Sequence, residues 1–168
     1  MSASDNFTPL AIAVLTISDT RDESTDTSGD LLKQHLLEAE HNFFGKVIVK
    51  DDIYQIRKVI SDWIANPAVQ VILTTGGTGF AGRDSTPEAI APLFDQEITG
   101  FGELFRQVSY DEIGSSTIQS RCLAGVANKT VIFCLPGSNN ACTTGWTRII
   151  KEQLDSRHRP CNFVGQLQ

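Results

Sequence analysis

No stretch of this chain is apolar for long enough to cross a bilayer. The longest run, Leu10–Ile17 with Thr16 interrupting it, falls far short of the roughly 20 residues a spanning helix needs. Residues 1–9 carry no lysine or arginine, so no secretory leader is read and a cytoplasmic location is expected. Cysteine and histidine are scarce: Cys122, Cys134, Cys142 and Cys161 form no C-x-x-C pair, and His35, His41 and His158 lie far apart. No zinc site and no redox dithiol is expected; four reduced thiols are. Positive charge is short as well. Fourteen Lys and Arg against 20 Asp and Glu leave a net charge of −6 with no basic stripe, which argues against a nucleic-acid or anionic-membrane partner. Internal repeats, low-complexity tracts and linker-like composition are also lacking.

What is there suits one globular domain spanning 1–168, with a flexible N-terminus over 1–9 and an irregular tail over 156–168. Of the 168 residues, 40% are hydrophobic and 20% charged, enough to bury a core without disulfide or metal staples. Leu10–Ser18 is apolar on both parities and reads as a buried strand. Asp26-Thr27-Ser28 caps a helix carrying Leu31, Leu32, His35, Leu36 and Ala39. Gly45–Lys50 reads as a second strand. A helix opened by Asp51 or Asp52 follows, with Ile53, Ile56, Val59, Ile60, Trp63 and Ile64 on one face. Val69–Thr75 is a third strand. Thr86-Pro87 begins a short helix with an overlapping capping box Ser85-x-x-Glu88. Gly102–Tyr110 reads as helix, Cys122–Val126 and Thr130–Leu135 as a hairpin at the sheet edge, and Ala141–Asp155 as a closing helix. This alternation predicts an α/β three-layer sandwich, a mostly parallel sheet with helices on both faces. A ligand then belongs outside the carboxyl ends of the strands.

Three polar loops follow predicted strands on that rim: Ser18-Asp19-Thr20, Thr75–Asp84 and Pro136–Asn140. The middle loop is the most informative, because adjacent glycines let backbone N–H groups approach an anion closely. Gly77-x-Gly79-x-x-Gly82 matches a dinucleotide fingerprint as a string, but Arg83-Asp84-Ser85 separates it from its helix, so no nicotinamide is expected. Gly77-x-x-x-x-Gly82-Arg83-Asp84 is near a P-loop, with Arg83 for the lysine and Asp84 for the metal-binding hydroxyl. Asp51 and Asp84 face two readings. They are either a helix-terminal residue and a solvated loop charge, or a magnesium pair completed by a triphosphate. Ser138 is likewise either a helix cap or a phosphate contact.

The combination Thr75-Gly76-Gly77-Thr78-Gly79 with Asp84-x-Thr86-Pro87-Glu88-Ala89 resembles the MoaB/Mog family of molybdenum cofactor biosynthesis proteins. So do Ser18-Asp19-Thr20, Asp26-Thr27-Ser28-Gly29, Gly100-Phe101-Gly102-Glu103 and Leu135-Pro136-Gly137-Ser138, in that order along nearly the whole chain. Gly125–Thr130 and Arg159–Phe163 are most similar to the bacterial MoaB branch. The resemblance implies a molybdopterin-binding fold, assembled as a trimer or hexamer, with molybdopterin and ATP as ligands and other proteins of the pathway as further partners. It implies adenylylation of molybdopterin with MgATP, releasing pyrophosphate; the alternative is a non-catalytic molybdopterin-binding or scaffold protein. Asp51 and Asp84 are then the catalytic, Mg²⁺-holding pair. Ser18, Asp19, Thr75, Gly76, Gly77, Thr78, Gly79, Ser85, Pro136, Gly137 and Ser138 are then the pterin and nucleotide contacts.

Overall fold

A strand that is apolar on both parities needs cover on both sides, and the chain provides it. In the computed structural model, which describes residues 6–167, the strands are β1 (Ala11–Ile17), β2 (Asn42–Val49), β3 (Val71–Thr75), β4 (Gln96–Glu97), β5 (Leu123–Ala127) and β6 (Thr130–Leu135). The helices are α1 (Thr27–Glu38), α2 (Ile53–Ile64), α3 (Thr86–Ile90), α4 (Thr99–Ile113), α5 (Asn139–Gly145) and α6 (Lys151–Gln153). A single wide turn over Trp146–Ile150 joins α5 to α6, so the expected closing helix runs from Asn139 to Gln153.

The six strands form one sheet in the order β2-β1-β3-β6-β5-β4. Neighbours among β2, β1, β3 and β6 are parallel, while β5 runs antiparallel to β6 and β4 antiparallel to β5. The sheet is therefore mixed. The β5–β6 hairpin turns at Asn128 and Lys129, both at positive φ. It does not form the edge, because Gln96 and Glu97 pair outside it.

Alternation along the strands divides the core between two faces. Ile12, Val14, Val71, Leu73, Phe133 and Leu135 meet Leu32, Leu36, Phe105, Trp146 and Ile150 on the α1, α4 and α5 side. Ala13, Leu15, Ile17, Ile72, Ile132 and Cys134 meet Ile56, Ile60, Trp63 and Ile90 on the α2 and α3 side. Asp26 caps α1 by accepting from Gly29 N, and Asp52 caps α2 by accepting from Tyr54 N and Gln55 N. Burial pushes the Cys122 and Cys134 thiols up to about 12 and Cys142 up to about 11, so none of the three is a ready nucleophile.

Both ends of the described chain are tied down. Ser156 Oγ donates to Asn6 O at 2.8 Å and accepts from Thr8 N at 2.9 Å. Phe163, Val164 and Leu167 pack on the first core face. The first five residues of the N-terminal stretch expected to be flexible lie outside the described residues. No helix among the described residues is long and apolar enough to cross a membrane.

Candidate active site

The loops after β1, β3 and β6 converge at the carboxyl ends of the parallel strands. They enclose a cleft of about 460 Å³, within the range of small-molecule sites. Its lining includes Ser18, Asp19, Asp51, Thr75, Gly76, Gly77, Thr78, Gly79, Asp84, Pro136 and Gly137. Residues from four separate stretches of sequence therefore share one wall.

The glycine loop is shaped by contacts that only glycine tolerates. Gly76 has φ +106°, and a Cβ there would lie 2.1 Å from Ile17 O. Its N–H donates to Leu135 O at 3.0 Å, and its carbonyl accepts from Thr86 Oγ1 at 2.8 Å. The loop is thus fastened to β6 on one side and α3 on the other. The N–H groups of Gly77, Thr78 and Gly79 find no acceptor among the described residues, and successive unpaired amides are what an anion needs.

The next two glycines admit the two carboxylates. A Cβ at Gly77 would fall 2.8 Å from Asp51 Oδ2, and one at Gly79 would fall 2.8 Å from Asp84 Oδ2. Asp51 Oδ1 accepts from Ser85 N at 3.1 Å and from Ser85 Oγ at 2.6 Å. Asp84 Oδ2 accepts from Ala81 N at 3.0 Å. Burial pushes the Asp51 carboxyl above its ordinary range; the bonds from Ser85 oppose this, and the neighbouring Asp84 and Asp19 charges add to it. A divalent cation would relieve that repulsion. No group of three or more His, Cys, Asp or Glu among the described residues could hold a metal alone. Two carboxylates nonetheless suit Mg²⁺, which takes one or two from the protein and completes its shell with water and substrate phosphates.

Two expected contacts have other work. Ser138 caps α5, accepting from Ala141 N at 3.1 Å, and does not line the cleft; Pro136 and Gly137 do. Ser85 stands at the N-cap of α3 without capping it, because its hydroxyl goes to Asp51. The expected capping box is therefore absent. Asn140 also turns away, donating to Glu112 Oε2 at 2.7 Å. At Gly82 a Cβ would meet nothing within 4 Å, so the fingerprint's third glycine has no close helix to accommodate.

The sequence offers Arg83, Arg106, Arg121 and Lys129 either as sources of positive charge or as solvated residues; of these, Arg121 meets this loop from afar and Arg83 reaches out of it. Arg121 N donates to Thr78 O at 2.9 Å. Its guanidinium donates to Gly79 O at 3.0 and 2.8 Å and to Asp84 O at 3.1 Å, while pairing with Glu88 and covering the Phe80 ring. Arg83 reaches Asp19 Oδ2 at 3.2 Å and Asp51 O at 3.0 Å. Arg21, Gln119 and Ser120 complete the walls. A Ser-Arg pair ahead of a strand carries no local signal of these contacts, so the pattern offers Arg121 as a charge but not as a donor to the glycine loop.

Comparison with known proteins bears on this cleft. Residues 13–156 match the family model described as "Probable molybdopterin binding domain". Molybdenum cofactor biosynthesis protein B of Escherichia coli K12 is 56% identical over 165 residues, covering 98% of this chain and 97% of that protein. A crystal structure of a molybdenum cofactor biosynthesis protein B superposes with a TM-score of 0.85 at 44% identity, covering 88% of this chain and 92% of the other. The tungsten cofactor synthesizing protein MoaB of Pyrococcus furiosus is similar at a TM-score of 0.77 and 38% identity, covering 86% of this chain and 92% of the other.

Proposed function

The chain belongs to the molybdopterin-binding domain family of molybdenum cofactor biosynthesis proteins, and from that premise we propose that it adenylylates molybdopterin with MgATP. One observation carries the reading. Gly77, Thr78 and Gly79, whose backbone N–H groups have no acceptor among the described residues, line the same cleft as the carboxylates of Asp51 and Asp84.

In the reaction, an oxygen of the pterin's phosphate monoester attacks the α-phosphorus of ATP. The new P–O bond forms as the bond to the β-phosphate oxygen breaks, and pyrophosphate leaves. The attacking oxygen is already anionic, so no histidine or cysteine base is required, and the cleft lining contains neither. Positioning and charge neutralisation are required instead. The Gly77–Gly79 amides hold phosphate oxygens, and the rigid Gly76 anchor keeps those amides in place. Asp51 and Asp84 would hold Mg²⁺, which supplies charge neutralisation at the phosphates when bound. The remaining parts of the proposal are a cytoplasmic homo-oligomer, a trimer or hexamer, working with other proteins of the pathway.

The test is ATP-dependent pyrophosphate release with molybdopterin present, for the wild type and Asp84→Asn. Asparagine keeps size and an acceptor for Ala81 N, so stability should change by no more than about 1 kcal/mol. Activity should fall by roughly a hundredfold or more, as loss of one transition-state electrostatic contact typically gives. Wild type that binds molybdopterin without turnover would make this a binding or scaffold protein. An Asp84→Asn variant as active as wild type would remove Asp84 from metal binding.

A further inference from the structure

The cleft is electrically lopsided. The carboxylates Asp51 and Asp84 come from the loop before α2 and the loop before α3, the pair of helices packed together on one sheet face. Arg21 comes in on the other side, where α1 and α5 pack together. Its Nη1 donates to Thr27 Oγ1 at 2.9 Å, and Thr27 Oγ1 in turn donates to Asn139 Oδ1 at 3.1 Å. Its own N–H donates to Ser18 Oγ at 3.1 Å, so backbone and side chain are both anchored.

Two arginines line the cleft, Arg21 and Arg83, and they differ in what they have left to give. Arg83 is committed to Asp19 Oδ2 and to Asp51 O. Arg21 has no carboxylate within ion-pair distance among the described residues, only the neutral Thr27 hydroxyl. A guanidinium keeps its charge at any working pH and presents several donors in a planar fork that fits phosphate. The positive charge of Arg21 is therefore the one in the cleft without an internal counter-charge.

We propose that Arg21 seats the phosphate monoester of the pterin, on the α1 and α5 side, leaving the α2 and α3 side to the metal-bound polyphosphate of ATP. This assignment rests on the adenylylation reading and adds the direction in which the ligands lie. A dianionic monoester bare of metal is repelled by Asp51 and Asp84 and attracted by Arg21. A metal-chelated triphosphate has the opposite preference. The two anions then approach each other across the Gly77–Gly79 amides, where the new bond must form.

The experiment measures binding of two fluorescent probes to the full chain: an oxidised molybdopterin derivative that retains its phosphate, and the same pterin after phosphatase treatment. For Arg21→Gln, affinity for the phosphorylated probe should fall at least tenfold, as losing a charged hydrogen bond to phosphate typically gives. Affinity for the dephosphorylated probe should change less than twofold. Arg21→Lys, which keeps the charge and loses the fork, should recover part of the difference. Equal weakening for both probes, or none for either, would overturn the assignment. MgATP affinity serves as the opposite arm: a loss there that exceeds the loss for the phosphorylated pterin reverses the proposed direction. If wild type binds neither pterin, the molybdopterin reading fails and the Arg21 role falls with it. If wild type binds the phosphorylated probe and Arg21→Gln binds it equally well, only the Arg21 role fails.

Discussion

Asp51 shows how one side chain can be costly to the fold and useful to the site. It is buried beside Asp84 and Asp19, and its carboxyl is pushed above the ordinary range chiefly by burial. An acid with a raised folded-state pKa binds its proton more tightly when folded. Its contribution to stability is then best at low pH and declines as pH rises from the unfolded to the folded pKa. Asp51→Asn keeps an acceptor for Ser85 N and Oγ while removing the charge. At neutral pH the variant should be more stable by about 0.5–1 kcal/mol, and its melting temperature should depend less on pH through the carboxylate range. Turnover should fall by roughly a hundredfold. Thermal melts at several pH values alongside pyrophosphate release would check both. A less stable variant would mean that the Ser85 bonds outweigh the burial and repulsion. The sequence offered Asp51 as either a helix-terminal charge or a metal ligand, and the structure separates the two uses: Asp52 caps α2, leaving Asp51 to face the loop.

At the scale of elements, the glycine loop depends on a strap that joins it to the segment before β5. Arg121 donates to three carbonyls of the Thr78–Asp84 stretch and pairs with Glu88 on α3. Arg121→Ala leaves Gly79 O and Asp84 O without those donors, costing about 1–2 kcal/mol, and frees the loop that carries the three unpaired amides. We expect turnover to fall at least tenfold, with hydrogen exchange rising selectively at residues 77–84. Arg121→Lys should be intermediate, because an ammonium can keep Glu88 but cannot span two carbonyls. Normal turnover with unchanged exchange in Arg121→Ala would refute the strap. The loop itself was legible in the sequence, since glycines between a β-branched strand and Thr-Pro have few other uses. The strap was not, because Arg121 meets Gly79 across 42 positions and no periodicity reports such a contact. The elements divide in the same way. β1, β3 and β6 were legible as apolar runs, whereas β4 has two residues, too few for any alternation. β2 begins at Asn42, three residues before its expected start, because Asn42 and Phe43 pair with β1 despite their polar and aromatic pattern.

The whole molecule leaves several large apolar side chains of its long α4 helix, and of the turn after it, exposed. Leu104, Tyr110 and Ile113 of α4 are exposed, and Ile118 in the turn that follows is 70% exposed. The same helix buries Phe101, Phe105 and Val108 in the core, so core packing does not account for the exposed apolar positions. Exposed apolar groups supply what an association surface buries, and the proposed trimer or hexamer requires one. A net charge of −6 opposes self-association at long range, and salt screens it. Light scattering at micromolar concentration should therefore give a multiple of the chain mass, with the assembled fraction growing as salt is raised. Ile118→Asp puts a charge where a second copy would dry the surface. Because Ile118 is exposed in the single chain, the far-ultraviolet circular dichroism of the variant should match wild type while its mass falls. A wild type that is monomeric across the salt range would remove the assembly proposal. An Ile118→Asp variant that keeps the full mass would place the interface elsewhere on the molecule. Turnover by a monomeric Ile118→Asp variant would carry a further consequence: the cleft would then be complete without a partner.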